Sequence, residues 1–198
     1  ARGLGPRLDE RWELRGAEAG FLRSPDGERF VVLGYDGFGV RDRRGDLSKF
    51  VPSEPQRLAR FSPDSATFAV MGPDSQVHVY DGRTFEERAA FNYHASELRM
   101  MPDGTIALLK EGEPAIAFFD AAQGKLVAEE RLPAKMVAHR EHLAWARDGK
   151  IALLEDGDVW DVVGRAALSR VPTPAAGEIS DDGSHVVGTS DDETWTFY

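Results

Sequence analysis

No cysteine occurs in the 198 residues. That excludes a disulfide framework, a thiolate metal site and a cysteine nucleophile. Long apolar runs are missing too: the longest stretch free of Asp, Glu, Lys and Arg is Ser65–Pro73, nine residues, against the roughly 20 that a membrane-spanning helix needs. The chain opens at Ala1 with neither a methionine nor a charged-then-apolar leader, so a processed chain or, on balance, a piece of a longer protein is expected. A soluble, cytoplasmic chain is the corresponding expectation. Cations are outnumbered, 24 Lys and Arg against 34 Asp and Glu, for a net charge of −10. The last third is the most acidic, and the excess of carboxylates disfavours phosphate backbones and anionic membranes, which require a surplus of clustered Lys and Arg. Nucleic acid and membrane are therefore not expected as partners. Neither a Gly-x-Ser-x-Gly elbow nor a phosphate-binding Gly-x-x-x-x-Gly-Lys loop occurs, so no catalytic motif is evident.

What is present is repetition. A Ser-Pro-Asp-Gly turn or a worn version of it recurs at Asp26, Asp64, Asp103, Asp148 and Asp182, with spacings of 38, 39, 45 and 34 residues. A period near 40 decides the fold before any other argument. After each turn aspartate comes a short aliphatic or β-branched run, "ERFVVLG", "ATFAVMG", "TIALLK", "KIALLE" and "SHVVGTS", bounded by turn residues as buried strands are. A further run ends in a bulky residue and an aspartate: Arg41-Asp42, Tyr80-Asp81, Phe119-Asp120 and Trp160-Asp161. A last run follows each aspartate. No segment keeps helical spacing, so the chain reads as all-β, with four short strands per repeat.

Four antiparallel strands, repeated, make a β-propeller blade. These motifs resemble the WD40-like repeat family, including its looser bacterial members with a Ser-Pro-Asp-Gly turn before the second strand. The resemblance covers residues 16–198. Two marks of the family are missing: no copy has the Gly-His pair, and Trp-Asp is literal only at Trp160-Asp161. The resemblance implies a β-propeller of five four-stranded blades, at approximately 17–52, 56–91, 95–132, 141–172 and 176–198. The fifth repeat stops at Tyr198, one strand short. The alternating segment 8–16, "LDERWELRG", is expected to close the ring as its missing outer strand, with Arg11–Arg15 beside Glu193–Phe197. The alternative is five blades of a larger ring completed elsewhere.

The same resemblance implies a non-catalytic scaffold or sensor module, expected to bind a protein partner, or another domain of its own polypeptide, through top-face loops. A small hydrolase or a carbohydrate-binding propeller using acidic residues at the channel mouth is the alternative. Among the inter-repeat connections, Asp120 to Asp148 is 28 residues where the others are 21 or 22. The insertion, "LPAKMVAHREH", brings Lys135, Met136, His139, Arg140 and His142 into an acidic chain, and a connection that departs from its repeat is a candidate for function. Tyr93 and His94 in the preceding inter-blade connection, with Glu111 and Glu113, are expected beside it. The acidic clusters around Asp156 and Asp191 fall at turns, where aspartate serves the backbone. His139 and His142 are three apart but in a predicted loop, so neither a metal nor another cofactor is expected. Arg23, at a position where later repeats carry Phe61, Met100, Trp145 and Ile179, is expected to form an ion pair.

Overall fold

A computed structural model describes residues 20–113, 115–131, 144–146, 151–153, 158–161, 166–170, 176–180, 185–189 and 195–197. The expected closing strand, 8–16, lies outside them. The described residues hold nineteen strands and no helix. The first antiparallel sheet contains β1 (Phe21–Arg23), β2 (Arg29–Leu33), β3 (Gly37–Asp42) and β4 (Leu47–Pro52) in sequence order. The second contains β5 (Leu58–Phe61), β6 (Thr67–Met71), β7 (Gln76–Asp81) and β8 (Glu87–Asn92). The third contains β9 (Ala95–Met100), β10 (Thr105–Lys110), β11 (Ala115–Asp120) and β12 (Lys125–Arg131). β13 (Ala144–Trp145), β14 (Ile151–Leu153), β15 (Asp158–Asp161) and β16 (Ala166–Arg170) form the fourth. β17 (Ala176–Ile179), β18 (Val186–Thr189) and β19 (Trp195–Phe197) form a three-stranded fifth.

The two middle strands of a sheet are apolar on both faces because both faces are covered. In β6, Phe68 and Val70 pack with Val31, Phe38 and Val40 of the first sheet. The alternate residues Ala69 and Met71 pack with Leu98, Ile106 and Leu108 of the third. Ala107, Leu109 and Ile116 then turn the other face of the third sheet toward Trp160 of the fourth. The core is therefore a series of seams between consecutive sheets. The first strand β5 lies alongside β9, and β13 alongside β17, as the innermost strands of propeller blades do. In each four-stranded sheet the last pairing shifts register at the residue before the repeat aspartate: Val40/Arg41, Val79/Tyr80, Phe118/Phe119 and Val159/Trp160. One bulge per repeat at a fixed place adds local twist where the outer strand begins.

The turn serine explains why Ser-Pro-Asp-Gly recurs. Ser24 Oγ donates to Asp26 Oδ1 at 2.6 Å and accepts from Arg29 N–H at 3.0 Å. Ser62 repeats both bonds with Asp64, 2.6 Å, and Thr67, 2.9 Å. Ser180 Oγ accepts from His185 N–H at 3.0 Å in the fifth sheet. The third turn has Met101 instead and no hydroxyl. It is one residue shorter, Met101 N–H bonding Thr105 O at 2.8 Å, and Thr105 Oγ1 takes over the donation to Asp103 at 2.7 Å. The last turn position needs a left-handed backbone, supplied by Gly27 (φ 74°) and Gly104 (φ 84°). Ser65 adopts it at φ 61° and uses its hydroxyl to accept from Asp26 N–H at 2.9 Å, tying the first turn to the second.

The other aspartates cap the hairpin between third and fourth strands. Asp42 accepts from Arg44 and Asp46 N–H, Asp81 from Arg83 and Thr84, and Asp120 from Ala122 and Gln123, all within 3.0 Å. Hydrogen bonds to the ionised form hold Asp26, Asp64 and Asp81 below the ordinary carboxylate pKa, led by Ser24, Ser62 and the Thr84 N–H respectively. A carboxylate with a depressed folded pKa contributes stability above its unfolded pKa and loses it as pH falls through the folded value. Thermal melts followed down from about pH 6 should fall most steeply below about pH 4. The triple variant Asp26→Asn, Asp64→Asn, Asp81→Asn should start lower and show a shallower acid limb.

Candidate functional site

The connections between sheets and the hairpins between second and third strands lie at one edge of the sheets, and Tyr93 and His94 sit there. After β8 the chain crosses directly into β9, and both residues of the crossing are pinned. Tyr93 N–H donates to Ser75 O at 2.9 Å, its ring meets Phe119 edge-on at 5.2 Å, and its hydroxyl donates to Glu129 Oε2 at 3.4 Å. Burial, then the nearby Glu129 carboxylate, push the Tyr93 phenol up to about 12. The ring is half-buried, so Tyr93 is mainly a packing residue with an exposed rim. His94 is exposed, with Nδ1 2.8 Å from Ser75 Oγ, and its carbonyl accepts from Glu111 N–H at 3.0 Å.

The expected neighbours Glu111 and Glu113 are thus partly assembled there. Lys110 Nζ bridges Glu113 at 3.1 Å and Glu129 at 3.3 Å, and these carboxylates hold its ammonium above the usual lysine range. The resulting surface is a backbone-anchored histidine beside a mixed-charge chain running from Tyr93 through Glu129 to Lys110 and Glu113. Lys135, Met136, His139, Arg140 and His142 lie outside the described residues. In sequence, β12 ends at Arg131 and β13 starts at Ala144, twelve residues between them, where the other crossings have five (53–57), two (93–94) and five (171–175).

Two features of the inner strands were not anticipated. Arg60 of β5 and Glu97 of β9 form an ion pair at 3.3 Å. Burial pushes the Glu97 carboxyl above its usual range against the opposing pull of Arg60 and Arg99. The clue in sequence was a charged residue in each first strand, "LARF" and "ASELRM". A two-carboxylate hydrolase needs a second acid beside the first, and the charges acting on Glu97 are those of arginines. Arg23 differs from expectation: it is exposed and makes no ion pair among the described residues. Its guanidinium instead lies over Gly27, where an added Cβ would stand 2.4 Å from it. Among the described residues no group of three or more His, Cys, Asp or Glu is arranged to hold a metal ion, and no helix is long and apolar enough to cross a membrane.

No family model matches the chain. WD repeat-containing protein 1 of Mus musculus is 25% identical over 119 residues, 57% of this chain and 19% of that protein. The protein of the same name in Gallus gallus is also 25% identical, over 118 residues. ASTRA-associated protein 1 of Verticillium alfalfae is 26% identical over 111 residues, 54% of this chain and 26% of its own length. The chain spans about a fifth to a quarter of the length of the curated relatives it matches. Repeated four-stranded sheets and this distant likeness to WD repeat proteins together support a WD40-like repeat architecture.

Proposed function

We propose that the chain is a five-bladed propeller, closed by residues 8–16 as the outer strand of the fifth sheet, that acts as a non-catalytic protein-interaction platform. Its binding surface is the edge carrying His94 and the rim of Tyr93, extended by the 132–143 crossing with Lys135, Met136, His139, Arg140 and His142. Its partner is another protein or another domain of the same polypeptide. The observation that carries the reading is the unequal crossing: twelve residues at one place on a repeat whose other crossings have two to five. A repeat keeps its connections short unless something is asked of one of them. Pinning of Tyr93 and His94 by Ser75 and Phe119 supports it further, since a surface already held in place loses little entropy on binding. Cationic and apolar side chains in the long crossing are types that anchor interfaces, and they contrast in charge with the acidic body of the chain.

The test is quantitative capture from extracts of the source cells, comparing the intact chain with one whose residues 134–142 are replaced by a short turn and with His94→Ala. Both variants should melt cooperatively near the parent. Partners held by the intact chain should drop by about tenfold or more with the short turn, an order typical of losing an interface hot spot, and by less with His94→Ala. Equal capture by all three chains would remove this edge from the binding surface.

A further inference from the structure

The seams between sheets are not equally filled. Between the second and third sheets, Phe91 of β8 stacks on Phe119 of β11 at 4.3 Å and Tyr93 meets the same ring at 5.2 Å. The repeat positions of Phe91 and Tyr93 in the first sheet are Val51 and Ser53. The pairings fix this: Val51 opposes Phe38 as Phe91 opposes Val77, and Ser53 N–H bonds Asp36 O as Tyr93 N–H bonds Ser75 O. Two rings are missing where β4 faces β7. The result is an open cleft of about 670 Å³, walled by Val51 and Phe50 on one side and His78 and Tyr80 on the other.

The cleft is acidic. Glu54, Asp74, Glu86 and Glu87 line it against a single cation, Lys49. The Lys49 ammonium is already held by the carbonyls of Thr84 and Phe85 at 2.9 and 2.8 Å. Glu87 is occupied by His78 Nδ1 at 3.1 Å, whereas Glu54, Asp74 and Glu86 make no ion pair among the described residues. Gln56 also lines the cleft: its Nε2 donates to Ser53 Oγ at 3.1 Å and to the Glu54 carbonyl at 2.5 Å, while its Oε1 is buried without a donor among the described residues and can accept one from a ligand without the amide moving. Phe50 leaves an aromatic ring 46% exposed at the rim.

From the missing rings, the surplus of carboxylates and the unpaired amide oxygen, we infer that the cleft between the first two sheets binds an arginine side chain presented by an extended partner peptide. A guanidinium is flat enough to enter a slot shaped by absent rings and stacks on aromatic faces. It also brings five N–H donors to the Gln56 oxygen and the cleft's carboxylates, and a positive charge to Glu54, Asp74 and Glu86, which make no ion pair among the described residues. This site lies along the seam of the first two sheets and reaches its edge at Asp74 and Gln76, on either side of the Ser75 that holds Tyr93 and His94; its lining includes no residue of the 132–143 crossing, and its test does not use that crossing.

The test is a titration of the intact ¹⁵N-labelled chain with a blocked Gly-Gly-Arg-Gly-Gly peptide, read from backbone and side-chain amide shifts. Saturable shifts are expected at Val51, Ser53, His78 and the Gln56 side-chain amide. The same peptide with citrulline, which keeps the shape and loses the charge, should bind about tenfold or more weakly. Val51→Phe, which restores the ring found in the neighbouring seam, should abolish the shifts. Ser53→Tyr gives a second filling variant, and Gln56→Leu removes the acceptor without filling the cleft. Both should weaken binding. The assignment is overturned by absence of saturable shifts, by shifts spread over the acidic surface and unchanged in all three variants, or by tighter binding of the corresponding tyrosine peptide than of the arginine one.

Discussion

Phe68→Ala should destabilise the chain by about 3–5 kcal/mol, the range for emptying a buried aromatic site. Phe68 is fully buried at the centre of the first seam. Its ring contacts Phe61 at 4.7 Å, Phe38 at 5.4 Å and Phe85 at 5.6 Å, pairs worth about 0.5–1.5 kcal/mol each beyond area burial. Strands on both sides of the ring are paired, so the site cannot collapse to recover the lost volume. For a chain of this length each kcal/mol moves Tm by roughly 2–4 °C, so the melt should fall by about 6–20 °C. Leu47→Ala is the control. It removes an exposed leucine of β4 and should stay within about 0.5 kcal/mol of the parent. A Phe68→Ala melt within a few degrees of the parent would mean that the first two sheets do not share a core.

Gly82→Ala should be nearly as severe, for a steric reason. A Cβ on Gly82 would stand 2.2 Å from the Ser65 carbonyl oxygen and 2.9 Å from backbone atoms of Ala66 and Thr67. Those atoms belong to a turn fixed by Ser62 and Asp64, so no side chain can rotate away. Overpacking of this kind costs about 1–3 kcal/mol and sometimes more, and backbone against backbone belongs at the upper end. The third sheet supplies an internal comparison. Ala121 holds the corresponding place and makes the corresponding bond, its N–H donating to Gly104 O at 3.2 Å where Gly82 donates to Ala66 O at 2.8 Å. The turn opposite Ala121 is one residue shorter, and a methyl group is accommodated there. Replacing Met101 with serine and inserting one residue after Gly104, which gives the third turn the length of the first two, should therefore make Ala121→Gly stabilising, although the same change in the parent would not be. Chemical denaturation of the parent, Gly82→Ala, Ala121→Gly, the lengthened-turn chain and the lengthened-turn chain with Ala121→Gly measures both effects.

Much of the fold was legible because the turns have few chemical solutions. A left-handed residue after Pro-Asp, an acceptor for two following N–H groups and a hydroxyl to brace it leave a pattern visible at Asp26 and Asp64 without any structure. The strand character of "ATFAVMG" was legible because each alternate residue serves a different seam, which produces an unbroken apolar run. The contraction of the third turn was not legible: replacing Ser by Met changes which atom braces Asp103, and only geometry shows that Thr105 takes the part. Arg60 with Glu97 was missed for a similar reason. Neither strand by itself shows the pairing, and the contact of Arg60 with Glu97 exists only because successive first strands lie side by side. The cleft between the first two sheets was invisible for the opposite reason, since Val51 and Ser53 are unremarkable strand-end residues until Phe91 and Tyr93 show what their positions can hold. Of the expected binding residues, Tyr93 became chiefly a packing residue and His94 an anchored surface group. The long crossing was found from its length alone.

The claim on which the platform rests is that one chain completes the ring. The absence of native cysteine allows a direct measurement. Glu13→Cys is paired in turn with Thr194→Cys, Trp195→Cys and Thr196→Cys, while Glu13→Cys with Leu47→Cys serves as control. A disulfide requires Cα atoms within about 7 Å. If residues 8–16 form the outer strand of the fifth sheet, at least one of the three test pairs should oxidise quickly and quantitatively within a single chain, and the control should not. Cross-links that form only between chains, or in none of the three pairs, would contradict closure and make these sheets part of a ring completed elsewhere.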